Sequence, residues 1–158
     1  MDQKEIRVPS LASLPAAAAA VWDFAKENKI LLFVGEMAAG KTTLIKELCR
    51  QAGVEEPVSS PTYALVNEYS NKAGHTLYHF DFYRLQQVGE ALDMGATEYF
   101  DSGNTCLIEW PEIIFPLLPA HFITVTIDKG AGEARTITLK KNWYDWENSF
   151  GLRSVGRN

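Results

Sequence analysis

A chain of 158 residues, 46% hydrophobic and 22% charged, suggests one globular domain spanning residues 1–158, long enough to bury about 68–70% of its unfolded surface. Its net charge of -5 argues against holding nucleic acid unaided, because a phosphate backbone wants a basic surface, so any role on RNA is expected to be shared with a partner. No apolar run reaches 18 residues and the first seven lack a signal-peptide core; with Cys49 and Cys106 both in apolar runs as free thiols, the chain reads as cytoplasmic and without a membrane span.

In chain order, the alanine-rich stretch after Ser13 has helical spacing, with Leu14, Ala18, Val21 and Ala25 on one face. Ser13 can cap this helix and Pro15 is tolerable in its first turn. Ile30-Leu31-Leu32-Phe33-Val34 is a continuous apolar run, as expected of a strand buried on both faces. Directly after it comes Gly35-Glu36-Met37-Ala38-Ala39-Gly40-Lys41-Thr42, followed by Thr43, which fits the phosphate-binding loop G-x-x-x-x-G-K-[ST]. Leu44 with Leu48 and Ile45 with Cys49 then predict a helix over 41–52, and Gly53 stands where a C-terminal glycine belongs. Strand, glycine loop and helix are the context the motif requires. The glycines let consecutive backbone N–H groups point inward at phosphate oxygens, and the helix start adds partial positive charge. Lys41 can reach β- and γ-phosphates, and the Thr42 hydroxyl can ligate Mg²⁺. The plain alternative is a glycine-rich turn carrying a solvent-exposed lysine, and the context disfavours it.

Further on, Ser59-Ser60-Pro61-Thr62-Tyr63 cannot be helical, since Pro61 pushes Ser60 toward an extended backbone. Its hydroxyls suit either local turn bonds or a switch-like loop that senses a γ-phosphate. Residues 63–69 and 75–83 predict a hairpin around Ser70-Asn71-Lys72-Ala73-Gly74. On its second strand Leu77, His79, Asp81 and Tyr83 share one face. Asp81 needs a partner there, either Arg84 or a Mg²⁺ and water network. Asn71-Lys72 resembles a guanine-reading motif, but Gly74 stands where that motif needs an aspartate, so adenine is the expected base. Short helices are expected over 86–92 and 96–100. Cys106-Leu107-Ile108-Glu109-Trp110-Pro111 is then an apolar strand ending in an acid, the Walker B pattern, with Glu109 emerging where ligands bind in open α/β sheets. Trp110 can stack on a ligand or merely pack. Residues 121–128 and 134–141 alternate around a second turn, with Ile123, Val125 and Ile127 on one face. His75 and His121 read as surface or turn residues rather than ligands. The tail from Asn142, with Trp143, Tyr144, Trp146 and Phe150, suggests a docked segment frayed at its end.

Four markers in this order resemble the bacterial TsaE family: residues 35–43, then Ser60-Pro61-Thr62-Tyr63, then His79-Phe80-Asp81-Phe82-Tyr83-Arg84, then Ile108-Glu109-Trp110. The resemblance is strong over about residues 30–115 and rests on pattern alone in the flanks. It implies an α/β, P-loop NTPase-like three-layer fold with a mixed, mainly parallel central sheet and antiparallel hairpins. It also implies binding of ATP and Mg²⁺, slow ATP hydrolysis, and work beside TsaB and TsaD type partner proteins that make threonylcarbamoyladenosine (t6A) at position 37 of tRNA. Carried over residue by residue, Gly35, Glu36, Met37, Ala38, Ala39, Gly40, Lys41, Thr42 and Thr43 cradle the phosphates. Thr42 and Glu109 hold the metal, directly or through water. Lys41, Asp81 and Glu109 serve catalysis, residues 60–63 form the switch-like loop, and Trp110 lies beside the nucleotide. One departure stands out: the family loop reads G-x-L-G-A-G-K-T, and Met37-Ala38 replaces Leu-Gly, so Ala38 is strained if the loop asks for a left-handed backbone. Two other classes share parts of the pattern. A small-molecule P-loop kinase would want an arginine-rich lid, and Arg84 is the only arginine between Arg50 and Arg135. A non-catalytic nucleotide-binding adaptor would not need both Asp81 and Glu109.

Overall fold

The computed structural model describes residues 2–143. In chain order these form strand β1 (Gln3–Val8), a 3-10 turn (Leu11–Ser13) running into helix α1 (Leu14–Ala25), strand β2 (Ile30–Val34) and helix α2 (Lys41–Gln51). Strands β3 (Val66–Ser70) and β4 (Thr76–Asp81) follow, then short helices α3 (Val88–Asp93) and α4 (Ala96–Phe100). Strand β5 (Thr105–Glu109), a second 3-10 turn (Glu112–Leu117), and strands β6 (His121–Lys129) and β7 (Arg135–Trp143) complete the order. All seven strands join one sheet in the order β1-β7-β6-β2-β5-β4-β3. The middle strands β6, β2, β5 and β4 run parallel, and antiparallel partners close both sides. This is the α/β sheet expected, mixed overall and parallel at its centre.

The apolar run of β2 explains the layering. Leu31 and Phe33 face a core completed by Val21 of α1 and Leu44, Ile45 and Leu48 of α2. Ile30 and Leu32 face the opposite core, with Phe80, Phe82, Phe100 and Ile114. Each such side chain stabilises the fold by about 1.5–3 kcal/mol, so a strand with apolar residues at every position is held only between two layers. Small buried residues, Ala17, Ala18 and Ala25, let α1 lie close against its neighbours, and the Trp22 indole N–H donates to the Leu48 carbonyl at 3.1 Å. Helix α2 ends as its sequence predicts: Gly53 takes φ +94°, and the Val54 N–H donates to the Cys49 carbonyl.

Several expectations are corrected. Ser13 makes no side-chain cap; the preceding 3-10 turn holds it at φ -89°, ψ -4°, not in the extended geometry a capping serine needs. The first hairpin strand starts at Val66 rather than at residue 63, because Leu65 adopts a left-handed φ of 65° and breaks the run. Sequence spacing does not predict strand β1; Ile6 and Val8 alternate too briefly before Pro9, and the strand exists through its pairing with β7. Asn142 and Trp143 belong to β7 rather than to a tail, opposite Phe122 and His121. Tyr144, Trp146 and Phe150 lie outside the described residues. Parallel register sets Glu109 level with Phe33 on one side and Asp81 on the other. The carboxyl ends of β2, β4 and β5 therefore meet at one edge, beside the glycine loop.

Candidate active site

The loop between β2 and α2 is built from close backbone approaches. A Cβ on Gly35 would sit 2.7 Å from the Ile127 carbonyl oxygen of β6, so no larger residue fits without moving that strand. Gly40 enters α2 at φ 107°. Ala38 also lies in the left-handed region, at φ 66°, which costs a non-glycine residue about 1–2 kcal/mol. Arg135, at the start of β7, braces the loop: its Nε donates to the Ala39 carbonyl at 2.8 Å, and its Nη1 to the Gly132 and Ala134 carbonyls.

Lys41 is buried, and its ammonium donates to the Gly35 carbonyl and, at 2.9 Å, to the Glu36 carbonyl. It also sits 4.2 Å from the centre of the Trp110 ring, which stacks at a tilt on Tyr83. Burial pushes the Lys41 pKa down, and the nearby Glu109 and Asp81 carboxylates oppose that shift. Glu109 is 3% exposed and would be costly to bury without donors. It has three: the Thr42 hydroxyl at 3.0 and 3.1 Å, the Ser60 hydroxyl at 3.4 Å, and His79 Nε2 at 2.7 Å. Asp81 lies half-buried on the adjacent strand, one oxygen accepting the Tyr83 N–H at 3.0 Å. Burial raises its pKa, and the Glu109 charge adds to the rise. Arg84 is exposed and forms no ion pair with Asp81 among the described residues, so Asp81 faces the site rather than that arginine.

In the segment at residues 59–63, the Ser60 hydroxyl turns inward to within 2.9 Å of Thr42 Oγ1. Ser59 anchors the segment through its carbonyl, which accepts from Asn67 Nδ2 and from the Tyr69 hydroxyl. Pro61 is buried, while Thr62 and Tyr63 are exposed and stand outside the cluster, Tyr63 at 91%. A cavity of about 270 Å³ joins Lys41, Thr42, Ser60, Asp81, Glu109 and Trp110. A second, apolar cavity of about 260 Å³ adjoins it across Ala38, Gly40 and Thr43. Val8, Leu11, Leu44, Ile127, Glu133 and Arg135 line its far side. Sequence spacing did not reveal Leu11, Glu133 or Arg135; only the pairing of β1 with β7 brings them to the loop, and the Leu11 N–H then donates to Glu133 Oε1.

A family model described as "Threonylcarbamoyl adenosine biosynthesis protein TsaE" matches residues 8–137, from the end of β1 into β7. The chain belongs to the TsaE family. A TsaE relative from Haemophilus influenzae is 44% identical over 114 residues, covering 72% of this chain and 71% of that protein. Another from Bacillus subtilis is 34% identical over 139 residues, covering 88% and 86%. The crystal structure of Bacillus subtilis YdiB superposes with a TM-score of 0.70 at 30% identity, over 87% of this chain and 84% of that one. Within this TsaE chain, the four sequence markers converge on one cluster: the glycine loop, Ser60, Asp81 with His79, and Glu109 with Trp110. Among the described residues no group of three or more His, Cys, Asp or Glu stands together as a metal site. The Thr42 hydroxyl and the Glu109 carboxylate are instead the hard oxygen donors that suit Mg²⁺, an ion that takes one or two carboxylates from protein and its remaining ligands from water and phosphate.

Proposed function

We propose that this TsaE-family chain binds ATP with Mg²⁺ and hydrolyses it slowly, as the ATPase that lets an assembly of TsaB and TsaD type partner proteins form t6A for more than one round. The observation that carries this is the Thr42 hydroxyl bonded to both oxygens of Glu109, in a cavity shared with Lys41 and Asp81. The loop amides and the start of α2 would receive the phosphates. Lys41 would exchange the Gly35 and Glu36 carbonyls for β- and γ-phosphate oxygens. Held by Thr42 and Glu109, Mg²⁺ would supply charge stabilisation at the phosphate oxygens. Asp81, with its raised pKa, is suited to orient the attacking water and take up its proton. The adjoining apolar cavity suits adenine, with Arg135 and Glu133 at its rim. Hydrolysis should be slow alone, because no arginine lines the phosphate cavity among the described residues, and a partner-supplied arginine is worth about 10³–10⁵ in rate. A net charge of -5 supports contact with tRNA only inside the assembly. The two buried free thiols support a cytoplasmic setting.

Glu109→Ala tests this reading directly. Mg²⁺-dependent ATP hydrolysis should fall at least roughly 100-fold, more than a residue behind the metal ligand would cost, while Mg²⁺-free nucleotide binding changes little. Equal loss of affinity with and without Mg²⁺ would make Glu109 a structural acid.

A further inference from the structure

His79 is fully buried on β4, and among the described residues its only hydrogen-bond partner is Glu109: Nε2 lies 2.7 Å from Oε2. Its other ring nitrogen, Nδ1, is buried with no hydrogen-bond partner among the described residues. An N–H at Nδ1 would be a buried donor with no acceptor, so Nδ1 carries the lone pair and Nε2 donates to the carboxylate. A histidine kept only for packing would be better replaced by the leucine found two residues earlier on the same face, since Leu77 meets the core with no polar atom to satisfy. We propose that His79 is a positioning residue that fixes the Glu109 carboxylate and so sets how tightly the site takes a divalent cation together with nucleotide. The proposal rests on Thr42 and Glu109 being the pair that holds that cation.

The arrangement distinguishes His79 from the other two donors. Thr42 and Ser60 reach Glu109 from the cavity side, and both line that cavity. Thr42 can turn an oxygen lone pair toward a cation while its O–H still donates to Glu109, so its own placement changes with what the cavity holds. His79 approaches from within the sheet instead: β4 and β5 pair in register, with His79 level with Leu107 and Asp81 level with Glu109. Its bond to Oε2 can persist when the cavity fills, leaving Oε1 directed at Thr42. Residues that orient a metal ligand in this way alter metal affinity by roughly 10–100-fold when removed.

The test compares wild type, His79→Leu and His79→Gln, each checked by thermal melting, because glutamine keeps an N–H donor close to the Nε2 position. A fluorescent ADP analogue is bound with and without Mg²⁺. Mg²⁺-free affinity should stay within about twofold across the three, while the Mg²⁺ concentration giving half the Mg²⁺ effect should rise roughly 10–100-fold in His79→Leu and recover most of that in His79→Gln. A folded His79→Leu protein with an unchanged Mg²⁺ requirement overturns the proposal. A wild-type protein whose nucleotide affinity ignores Mg²⁺ removes the underlying site reading, and the proposal with it. If His79→Leu does not fold, ¹⁵N spectra of the wild-type imidazole decide. Nε2 should carry the hydrogen, and its resonance should move when Mg²⁺ is added to the nucleotide complex. A hydrogen on Nδ1, or a resonance that stays still, overturns the assignment.

Discussion

Ala38 keeps a left-handed backbone in the middle of the glycine loop between β2 and α2, at φ 66°. Glycine would relieve about 1–2 kcal/mol of steric cost but lose about 0.5–1 kcal/mol in unfolded-chain entropy, so Ala38→Gly should stabilise the protein by up to about 1.5 kcal/mol in urea unfolding. Lys41→Ala should abolish hydrolysis or weaken ATP binding while the melting curve changes little, because the partners it leaves are loop carbonyls that water can reach. Hydrolysis at the wild-type rate by a folded Lys41→Ala protein would remove the phosphate-loop assignment. Asp81 gives a prediction with a sign. Its pKa is raised above the ordinary 3.8, chiefly by burial, so the folded state holds the proton more tightly than the unfolded chain. Stability should then fall as pH rises from about 4 through the folded pKa and level off above it. Asp81→Asn should remove that loss and be the more stable protein at pH 7 without metal, yet inactive; equal pH–stability profiles would contradict the raised pKa. These residues were legible because a local motif or an apolar strand ending in an acid announces them. His79 and Arg135 were not assigned roles, since their meaning lies in a carboxylate 30 positions away and a carbonyl 96 positions away.

Between residue and molecule, the segment at 59–65 is the element most exposed to the state of the site. It has no regular structure, and it touches the cluster through Ser60 while Thr62 and Tyr63 face solvent. Nucleotide with Mg²⁺ should therefore slow amide exchange at residues 59–65 more than in β2, and Ser60→Ala should reduce that protection; unchanged exchange on loading would deny the segment a switching role. Helix α2 carries the loop, and Leu48 is fully buried beneath it, so Leu48→Ala should cost about 2–5 kcal/mol and lower the melting temperature without altering the chemistry of any site residue. At this scale the sequence spoke clearly where periodicity ran long: β2, α2, β5 and the β6–β7 hairpin stand where spacing put them. It failed for β1, whose pattern is short and whose reason for existing is an antiparallel partner at the far end of the chain. Ser13 misled because a capping serine and a serine closing a 3-10 turn have the same local sequence.

For the whole molecule, the sheet order places the glycine loop, the Thr42–Glu109 pair and an apolar cavity along one edge, and the family places the chain in threonylcarbamoyladenosine biosynthesis. With no arginine in the phosphate cavity among the described residues and a net charge of -5, the protein should turn over ATP poorly alone and gain rate and tRNA contact from its partners. The most direct measurement combines this protein with TsaB and TsaD type partners, tRNA, threonylcarbamoyl-adenylate and ATP, and counts t6A formed per assembly. The account predicts several rounds when the wild-type protein and hydrolysable ATP are both present, and no more than about one with Lys41→Ala or a non-hydrolysable analogue. Equal yield in the absence of this protein, or with Lys41→Ala, would contradict it.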